Sequence, residues 1–330
     1  MPHGYHHLTY DKRCQIYALK GSKMTQKQIA KFVGVSQSTI SREFRRNTGK
    51  RGYRYKQAHS LAENRRYTAS TVAYKMTPTR IELIEQMLKN DQFSPEQISG
   101  NLKLNYKIAI SHESIYLHIW KDKKLGGNLY KQLRRRGKKY SYRGEKLSGR
   151  GLIPNRVDIK QRPMIVEEKT RVGDFEGDTI IGSHHQGAIV SLVDRKTKVT
   201  FLYLLLRAKA EETAAAIIKK LLPIKNIVET ITTDNGKEFA QHELVTEKLG
   251  AKFYFAQPYH SWERGLNENT NGLVRQYFPK GSDFSKLDQQ QVLAVEKKLN
   301  NRPRKTLGYK TPREEFLRLT GVDLNYALHS

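Results

Sequence analysis

Between residues 172 and 277 the sequence alternates between strand-like and helix-like patterns in a fixed order. The strand-like runs cover residues 172–181, 188–193, 199–206, 227–233 and 253–256. The helix-like segments cover about 210–222, 239–249 and 261–277. The first three strands are joined by tight turns and are expected to be antiparallel, whereas the later strands are separated by helices.

Three antiparallel strands followed by helix, strand, helix, strand and helix is the order of the ribonuclease-H-like α/β fold. We expect this domain to occupy residues 165–280. Apolar patterns at 287–300 and 312–320 predict further helices in a C-terminal extension, which we place at 281–330.

The first 50 residues predict a helix-turn-helix unit of three helices. Thr25 opens a capping box, Gly34 ends the second helix and Ser36 caps the third. Ala30 allows close helix contact and Ile40 is an apolar anchor. The outward face of the third helix offers side chains that can reach base edges and phosphates: Gln37, Ser38, Thr39, Ser41, Arg42, Arg45 and Arg46. The alternative is a basic three-helix bundle without a DNA site.

A weaker copy of this plan follows at residues 79–125, after a linker at 51–78. Ser94 and Ser111 are placed like Thr25 and Ser36, although six extra residues precede the last helix. This segment is either a second helix-turn-helix unit or a helical spacer that does not touch DNA.

Residues 126–164 form a basic, glycine-rich segment with few aliphatic side chains. We interpret it as a linker that lies along a phosphate backbone, the alternative being a solvated tether. Its basic cluster consists of Arg134, Arg135, Arg136, Lys138 and Lys139.

The charge of the chain favours a polyanionic partner. Lys and Arg number 60 against 32 Asp and Glu, a formal net charge of +28. Residues 1–150 hold 32 basic and 10 acidic residues (+22), which leaves 28 and 22 (+6) for residues 151–330. Such a balance disfavours a membrane protein or an enzyme that acts on cations. The single cysteine, Cys14, excludes an intramolecular disulfide, and we expect a cytoplasmic protein that meets nucleic acid there.

Three carboxylates occupy positions typical of a metal site. Asp178 lies in the first strand, Asp234 follows the buried strand at its carboxyl end, and Glu268 lies on the last helix of the domain. On that helix Asn271 and Arg275 share a face with Glu268. Converging carboxylates repel one another unless divalent cations lie between them, and hard oxygen ligands suit Mg²⁺ or Mn²⁺.

Each assignment has an alternative. Asp234, which precedes Asn235 and a glycine, is also a typical turn or helix-entry residue. Glu176 lies on the same strand face as Asp178 because side chains alternate along a strand. Glu263 lies near Glu268 at the start of the same segment.

These residues resemble a known family. Residues 232–239 (TTDNGKEF), with Pro258, Tyr259, Gly265 and Glu268, resemble the second half of the DDE catalytic core shared by retroviral integrases and many bacterial transposases. Residues 260–277, the NNRP run at 300–303 and the LGYKTP run at 307–312 resemble more narrowly the insertion-sequence-thirty family of transposases, as does the N-terminal helix-turn-helix. The similarity covers nearly the whole chain.

The resemblance implies a retroviral-integrase-like catalytic domain with Asp178, Asp234 and Glu268 as the metal-binding triad. It selects Glu268 over Glu263, because only counting back from Glu268 places Gly265 at the family's spacing. Supporting roles fall to Asn235, His260, Asn271 and Arg275. Two Mg²⁺ or Mn²⁺ ions, double-stranded DNA and a homodimer or higher homo-oligomer are implied as cofactors and partners.

The implied function is a DNA transposase that binds the terminal inverted repeats of its insertion sequence, cleaves there and transfers the strand. The competing classes are a DNA-binding transcriptional regulator with an inactive core and a nuclease that cuts without joining.

Overall fold

The structure is a computed structural model that describes residues 7–72, 76–134, 153–257 and 265–324. The chain divides into two compact units, Met1–Thr77 and Pro78–Ser330.

The first unit is helical and contains the predicted helix-turn-helix. Its helices are α1 (Tyr10–Gly21), α2 (Gln26–Val33), α3 (Gln37–Asn47) and α4 (Tyr55–Val72). The capping box at Thr25 and the cap at Ser36 are both formed. Gly34 ends α2 in the left-handed conformation at φ 70°, which a glycine adopts without steric cost. Ala30 and Ile40 are buried between the helices, as the spacing predicts.

Much of the segment expected to be a linker, residues 51–78, is the helix α4. Helix α4 packs against α1 and α3. Ala58 is fully buried and Tyr53 is 4% exposed, in the same core as Ile16 and Ile29. Most side chains of α4 are polar, and few of them pack in this core, so the sequence of α4 shows no clear apolar helix pattern.

The second unit begins with three helices, α5 (Pro78–Lys89), α6 (Pro95–Asn105) and α7 (His112–Lys124). Ser94 and Ser111 cap α6 and α7 as predicted. Gln97 Nε2 donates to the Pro303 carbonyl at 3.0 Å, and the Tyr309 ring lies so close to Gly100 that a side chain there would overlap it. The three helices are therefore packed on the C-terminal part of the chain.

The basic linker is shorter than the expected 126–164. Leu129 is buried, in a short 3₁₀ helix that packs on α5 and α7. Ile153 and Ile159 are buried as well, and Phe255 donates its backbone N–H to the Val157 carbonyl. Both ends of the segment thus belong to the folded unit, and residues 135–152 lie outside the described residues.

The described residues of the second unit form a five-stranded sheet. Its strands are β1 (Asp174–Ile181), β2 (Ala188–Asp194), β3 (Thr200–Leu205), β4 (Thr230–Thr233) and β5 (Lys252–Phe255). The spatial order is β3-β2-β1-β4-β5, with β1, β2 and β3 antiparallel and β4 and β5 parallel to β1. This is the ribonuclease-H-like arrangement that the sequence predicts.

Helices cover both faces of this sheet. They are α8 (Met164–Glu168), α9 (Ala210–Leu221), α10 (His242–Leu249), α11 (Gly265–Tyr277), α12 (Gln289–Asn300) and α13 (Pro312–Thr320). On one face Phe175 and Ile231 pack with Ile217 of α9. On the other face Ile180 packs with Leu273 of α11 and with α12. The even-numbered positions of β1 therefore face α11.

Helix α12 seals the edge of the sheet at β3. The backbone N–H groups of Thr200, Leu202 and Leu204 donate to side-chain oxygens of Asn300, Glu296 and Gln289 at 2.6–2.9 Å. An open strand edge is a template for aggregation, and these three bonds occupy it.

Candidate active site and nucleic-acid interface

Two of the predicted catalytic carboxylates lie on neighbouring parallel strands: Asp178 is within β1, and Asp234 directly follows β4. Glu176 of β1 is paired with Thr232 of β4, and Asp178 and Asp234 each follow two residues later. The two aspartates are therefore at the same level of the sheet, at the carboxyl end of β4, where α/β folds bind ligands. Both are half-buried. Asp234 Oδ1 also accepts from the Gly236 N–H at 2.9 Å, so the turn role and the site role coexist.

Helix α11 carries the third carboxylate and is bonded to the first. Asn271 Nδ2 donates to Asp178 Oδ2 at 2.7 Å. Ser191 Oγ lies 2.9 Å from Asn271 Oδ1 and donates to it. Glu268 lies three residues before Asn271, on the same helix face, and is exposed. The sequence prediction that this face points to the site is thus supported by the Asn271 bond.

The described residues do not contain a preformed metal centre. No group of three or more His, Cys, Asp or Glu side chains among them is arranged to hold an ion. Asp178, Asp234 and Glu268 lie on adjoining elements but are not gathered into one cluster.

Glu176, the alternative to Asp178, is committed to a buried network. Its Oε1 pairs with Arg195 at 3.0 Å, and its Oε2 accepts from the Asn267 N–H at 3.1 Å in the first turn of α11. Arg195 also pairs with Glu167 at 3.0 Å, and Glu167 pairs with the buried Arg162. Glu176 therefore neutralises an arginine and holds the start of α11, a position that favours anions.

Asp174, on the same strand face, is likewise occupied. It is fully buried, pairs with Arg171 at 2.8 Å and accepts from Thr230 Oγ1 at 2.8 Å. Asp174 and Glu176 both lie further from the carboxyl end of β4 than Asp178 does. Asp178 is therefore the carboxylate of β1 that is level with Asp234.

Asn235 and Arg275 have structural contacts that brace the site. Asn235 Nδ2 donates to the Ala256 carbonyl at 2.6 Å, while its Oδ1 accepts from Arg156, which links the ends of β4 and β5. Arg275 Nη2 donates to the Ile181 carbonyl at 2.7 Å at the end of β1, and burial lowers the pKa of its guanidinium. His260 and Glu263 lie outside the described residues.

The third helix of the helix-turn-helix presents a polar and basic surface. The predicted DNA-contacting positions that are exposed are Gln37, Ser38, Ser41, Arg42, Arg45 and Arg46. Thr39 is half-buried, and its hydroxyl is 2.9 Å from that of the cap residue Ser36. The Thr39 hydroxyl is therefore engaged with the cap of α3, and only part of its side chain is accessible to DNA.

Of the predicted basic cluster, only Arg134 falls within the described residues. Its guanidinium donates to Oδ1 and to the carbonyl of Asn269 on α11, at 3.2 and 3.4 Å, next to Glu268. Arg135, Arg136, Lys138 and Lys139 lie outside the described residues.

A basic turn after α3 was missed by the sequence reasoning. Gly49 and Gly52 form a β-bridge that exposes Lys50 and Arg51 at its tip, and Arg54 follows. A cavity of about 1050 Å³ lies beside them. The two glycines with two residues between them, Gly52 at φ 91°, were the available signal for a tight turn.

Glu238 was also missed. Its Oε1 accepts from Thr179 Oγ1 at 2.6 Å, and its carboxylate lies over Gly236 in the turn after Asp234. It belongs to the same TTDNGKEF run, so its position in that motif was the signal.

Comparison with known proteins identifies relatives for both units. A helix-turn-helix domain family matches residues 4–47. The catalytic core domain of BIV integrase overlaps 45% of this chain and 96% of its own length, at 19% identity and a TM-score of 0.35. The fold assignment here is based on the strand order and not on this overlap.

Within the described residues, no helix has the length and apolar character needed to cross a bilayer.

Three curated transposases match almost end to end. The transposase for insertion sequence element IS4351 of Bacteroides fragilis is 48% identical, over 94% of this chain and 95% of its own length. The transposase for IS1086 of Cupriavidus metallidurans is 33% identical, over 93% of both chains. Transposase InsI for IS30A of Escherichia coli K12 is 35% identical, over 93% of this chain and 82% of its own length. The resemblance predicted from the motifs is confirmed, and the protein belongs to the IS30 family of insertion-sequence transposases.

Proposed function

We propose that this protein is a DDE transposase that binds the terminal inverted repeats of its own insertion sequence and performs DNA cleavage and strand transfer. The observation that carries the proposal is the bond from Asn271 to Asp178, because it joins the helix that bears Glu268 to the residue of β1 that is level with Asp234 in the sheet. The transposase relatives along more than nine-tenths of the chain support the reaction class.

Asp178, Asp234 and Glu268 have the donor chemistry for a divalent metal. All three ligands are hard carboxylate oxygens, which suit Mg²⁺ or Mn²⁺. Asp178 accepts a hydrogen bond from the Asn271 amide but is still half-buried, so part of its carboxylate is accessible to an ion. Glu268 is exposed on the facing helix. We propose two ions per site; when bound, they supply charge stabilisation for in-line phosphoryl transfer.

The residues of this chain prepare the site in two ways. Asn271 orients the Asp178 carboxylate, and Glu176 fixes the first turn of α11 through the Asn267 N–H. The proposed reaction is hydrolysis at the transposon end, which frees a 3′-hydroxyl, followed by attack of that hydroxyl on a target phosphodiester. The attack breaks one phosphodiester bond as it forms another, so no covalent protein intermediate is required.

We assign terminal-repeat recognition to α3 of the first unit. Gln37, Arg42 and Arg45 are exposed on one helix and can reach base edges in a major groove. The turn with Lys50 and Arg51 adds phosphate contacts next to that helix. Because two transposon ends must be joined in one reaction, we propose that the protein acts as a homodimer or higher homo-oligomer.

One assay separates this function from its alternatives. The full chain is incubated with Mg²⁺, labelled DNA carrying the element's terminal sequence and a target plasmid, and Asp234→Asn serves as the matched inactive protein. We expect cleaved ends and joined products from the wild type alone. Binding without cleavage would identify a DNA-binding regulator, and cleavage without joining would identify a nuclease.

A further inference from the structure

Two arginines follow α12, and neither forms an ion pair with a carboxylate among the described residues: Arg302 is buried and Arg304 is half-buried. Arg302 is 2% exposed and donates to neutral oxygens, those of the Gln276 side chain at 3.1 Å and the Gln92 carbonyl at 2.6 Å. Arg304 donates to the Leu299 carbonyl at 3.3 Å. The Nε atoms of both arginines are buried and lack a hydrogen-bond partner in the described part of the chain. Two cations are therefore held side by side with part of their donor capacity unused.

This arrangement is costly without an anion. Burial, together with the neighbouring charges of Arg302 and Arg134, lowers the pKa of Arg304 to about 10. A buried charge is normally paired with an opposite charge and saturated with hydrogen bonds. Here the hydrogen-bond acceptors of Arg302 and Arg304 are neutral oxygens, and Asp91 offsets part of the Arg302 charge. An external anion would use the unpaired Nε donors and offset the two positive charges further.

A cavity lies at these arginines. It measures about 260 Å³, and its lining includes Arg134, Arg302, Arg304 and Asn269. Lys305 and Glu96 line it as well and are paired with each other at 2.7 Å. Pockets for drug-sized ligands hold roughly 300–1,000 Å³, so this one suits a group such as a phosphate with water around it. Guanidinium groups recognise phosphate oxygens with their forked donors.

The cavity adjoins the helix of the proposed active site. Asn269, which lines it, is the residue after Glu268 on α11, and Arg134 donates to Asn269 at 3.2 Å. An anion bound here would be held against the exposed side of the helix that carries Glu268. The polyanion that the proposed reaction brings to this helix is the DNA substrate.

We propose that this cavity, which we call the Arg304 pocket, binds a backbone phosphate of the DNA that is presented to the acidic site. The proposal rests on the proposed function only in taking DNA as the ligand. The pocket positions the strand without contacting bases, so it contributes affinity and register but no sequence preference.

The salt dependence of DNA binding tests this pocket. The full chain is titrated with a labelled duplex carrying the terminal sequence, without divalent metal, from about 50 to 200 mM salt, and log K is plotted against log salt. Arg304→Gln should reduce the magnitude of the slope by about 0.9, the amount for one lost phosphate contact. Lys225→Gln is the matched control, because exposed Lys225 precedes β4 at the opposite end of the sheet from Asp234. Its slope should equal that of the wild type.

Two further variants and a second probe keep the outcome clear. Arg304→Lys retains the charge if Arg304→Gln fails to fold, and Lys305→Gln removes an exposed charge at the pocket rim. Inorganic phosphate should raise the Tm of the wild type more than that of Arg304→Gln at equal ionic strength. A folded Arg304→Gln protein with the wild-type slope overturns the proposal. Phosphate stabilisation without any change of slope would assign the pocket to free phosphate and overturn the DNA assignment.

The outcome is independent of the catalytic assignment. The slope is measured without metal and without cleavage, so it does not depend on Asp178, Asp234 or Glu268. If Glu268→Gln still cleaved DNA while Arg304→Gln lowered the slope, the triad would be wrong and the Arg304 pocket would stand.

Discussion

The side-chain amide of Asn271 donates a 2.7 Å hydrogen bond to Oδ2 of Asp178 and thereby ties helix α11 to strand β1. Ser191 donates to the other end of the same amide at 2.9 Å, so Asn271 has a single orientation, with its nitrogen toward the carboxylate. This pair fixes the helix that bears Glu268 relative to the strand ends.

Asn271→Ala should slow cleavage of the transposon end without weakening DNA binding. A hydrogen bond to a charged group contributes about 1.5–3 kcal/mol, which corresponds to roughly a tenfold to hundredfold loss of rate at limiting Mg²⁺. Ser191→Ala should act in the same direction and less strongly. End cleavage in single turnovers and gel shifts measure the two properties. A wild-type cleavage rate for Asn271→Ala would show that the bond is not used.

Glu176→Gln should reduce stability, in contrast to Asp178→Asn. Removing one member of a buried ion pair costs about 3–5 kcal/mol, and Glu176 also holds the first turn of α11. Asp178 is half-buried, and its loss should change the free energy of unfolding much less. Urea unfolding of the full chain compares the two. If Asp178→Asn were the more destabilised protein, the structural role assigned to Glu176 would belong to Asp178 instead.

Arg42→Ala and Arg45→Ala should weaken binding to the terminal DNA. A side chain that reads a base edge contributes about 1–3 kcal/mol, so roughly a fivefold to 150-fold loss of affinity is expected where one of these arginines reads a base. Lys31→Ala on α2 is the control, an exposed lysine outside the recognition helix. Gel shifts with terminal and unrelated duplexes give the affinities. Unchanged affinity in both arginine variants would remove α3 from the recognition surface.

Stability should rise with pH between about 8 and 10.5 through Lys198. Burial, with a smaller contribution from Lys169, lowers the pKa of the Lys198 ammonium from its usual 10.5 to about 8, despite the attraction of Asp194 and Glu176. In that window the unfolded chain binds more protons than the folded one, so the free energy of unfolding increases with pH. Lys198→Met should remove this increment. Urea unfolding at several pH values compares the slopes, and parallel curves for the two proteins would contradict the assignment.

The sequence predicted the sheet and the helix-turn-helix because both rest on local signals. Caps at Thr25 and Ser36, and apolar runs of strand length, determine these elements within a few residues. The predicted helices 287–300 and 312–320 correspond to α12 and α13 for the same reason. The helix α4 was missed because its buried side chains are few, and only the tertiary contacts of Ala58 reveal them.

The candidate site was predictable in its residues but not in its connections. Motif resemblance singled out Asp178 and Glu268, yet the bond to Asn271 and the pairing of Glu176 with Arg195 join positions that lie far apart in sequence. Such pairings depend on which strands and helices become neighbours. The Arg304 pocket depends on the same tertiary packing, because its lining comes from four separate segments of the second unit.

Single-turnover cleavage of labelled terminal DNA in Mg²⁺ tests the central claim most directly. Asp178→Asn, Asp234→Asn and Glu268→Gln should each lose more than about a hundredfold in rate, since even residues that only support metal ligands cost ten- to hundredfold. Each variant should keep wild-type gel shifts, and Glu211→Gln, an exposed glutamate on α9, should cleave normally. Cleavage at the wild-type rate by any one of the three variants would contradict the assignment of that residue, and cleavage by all three would contradict the DDE site.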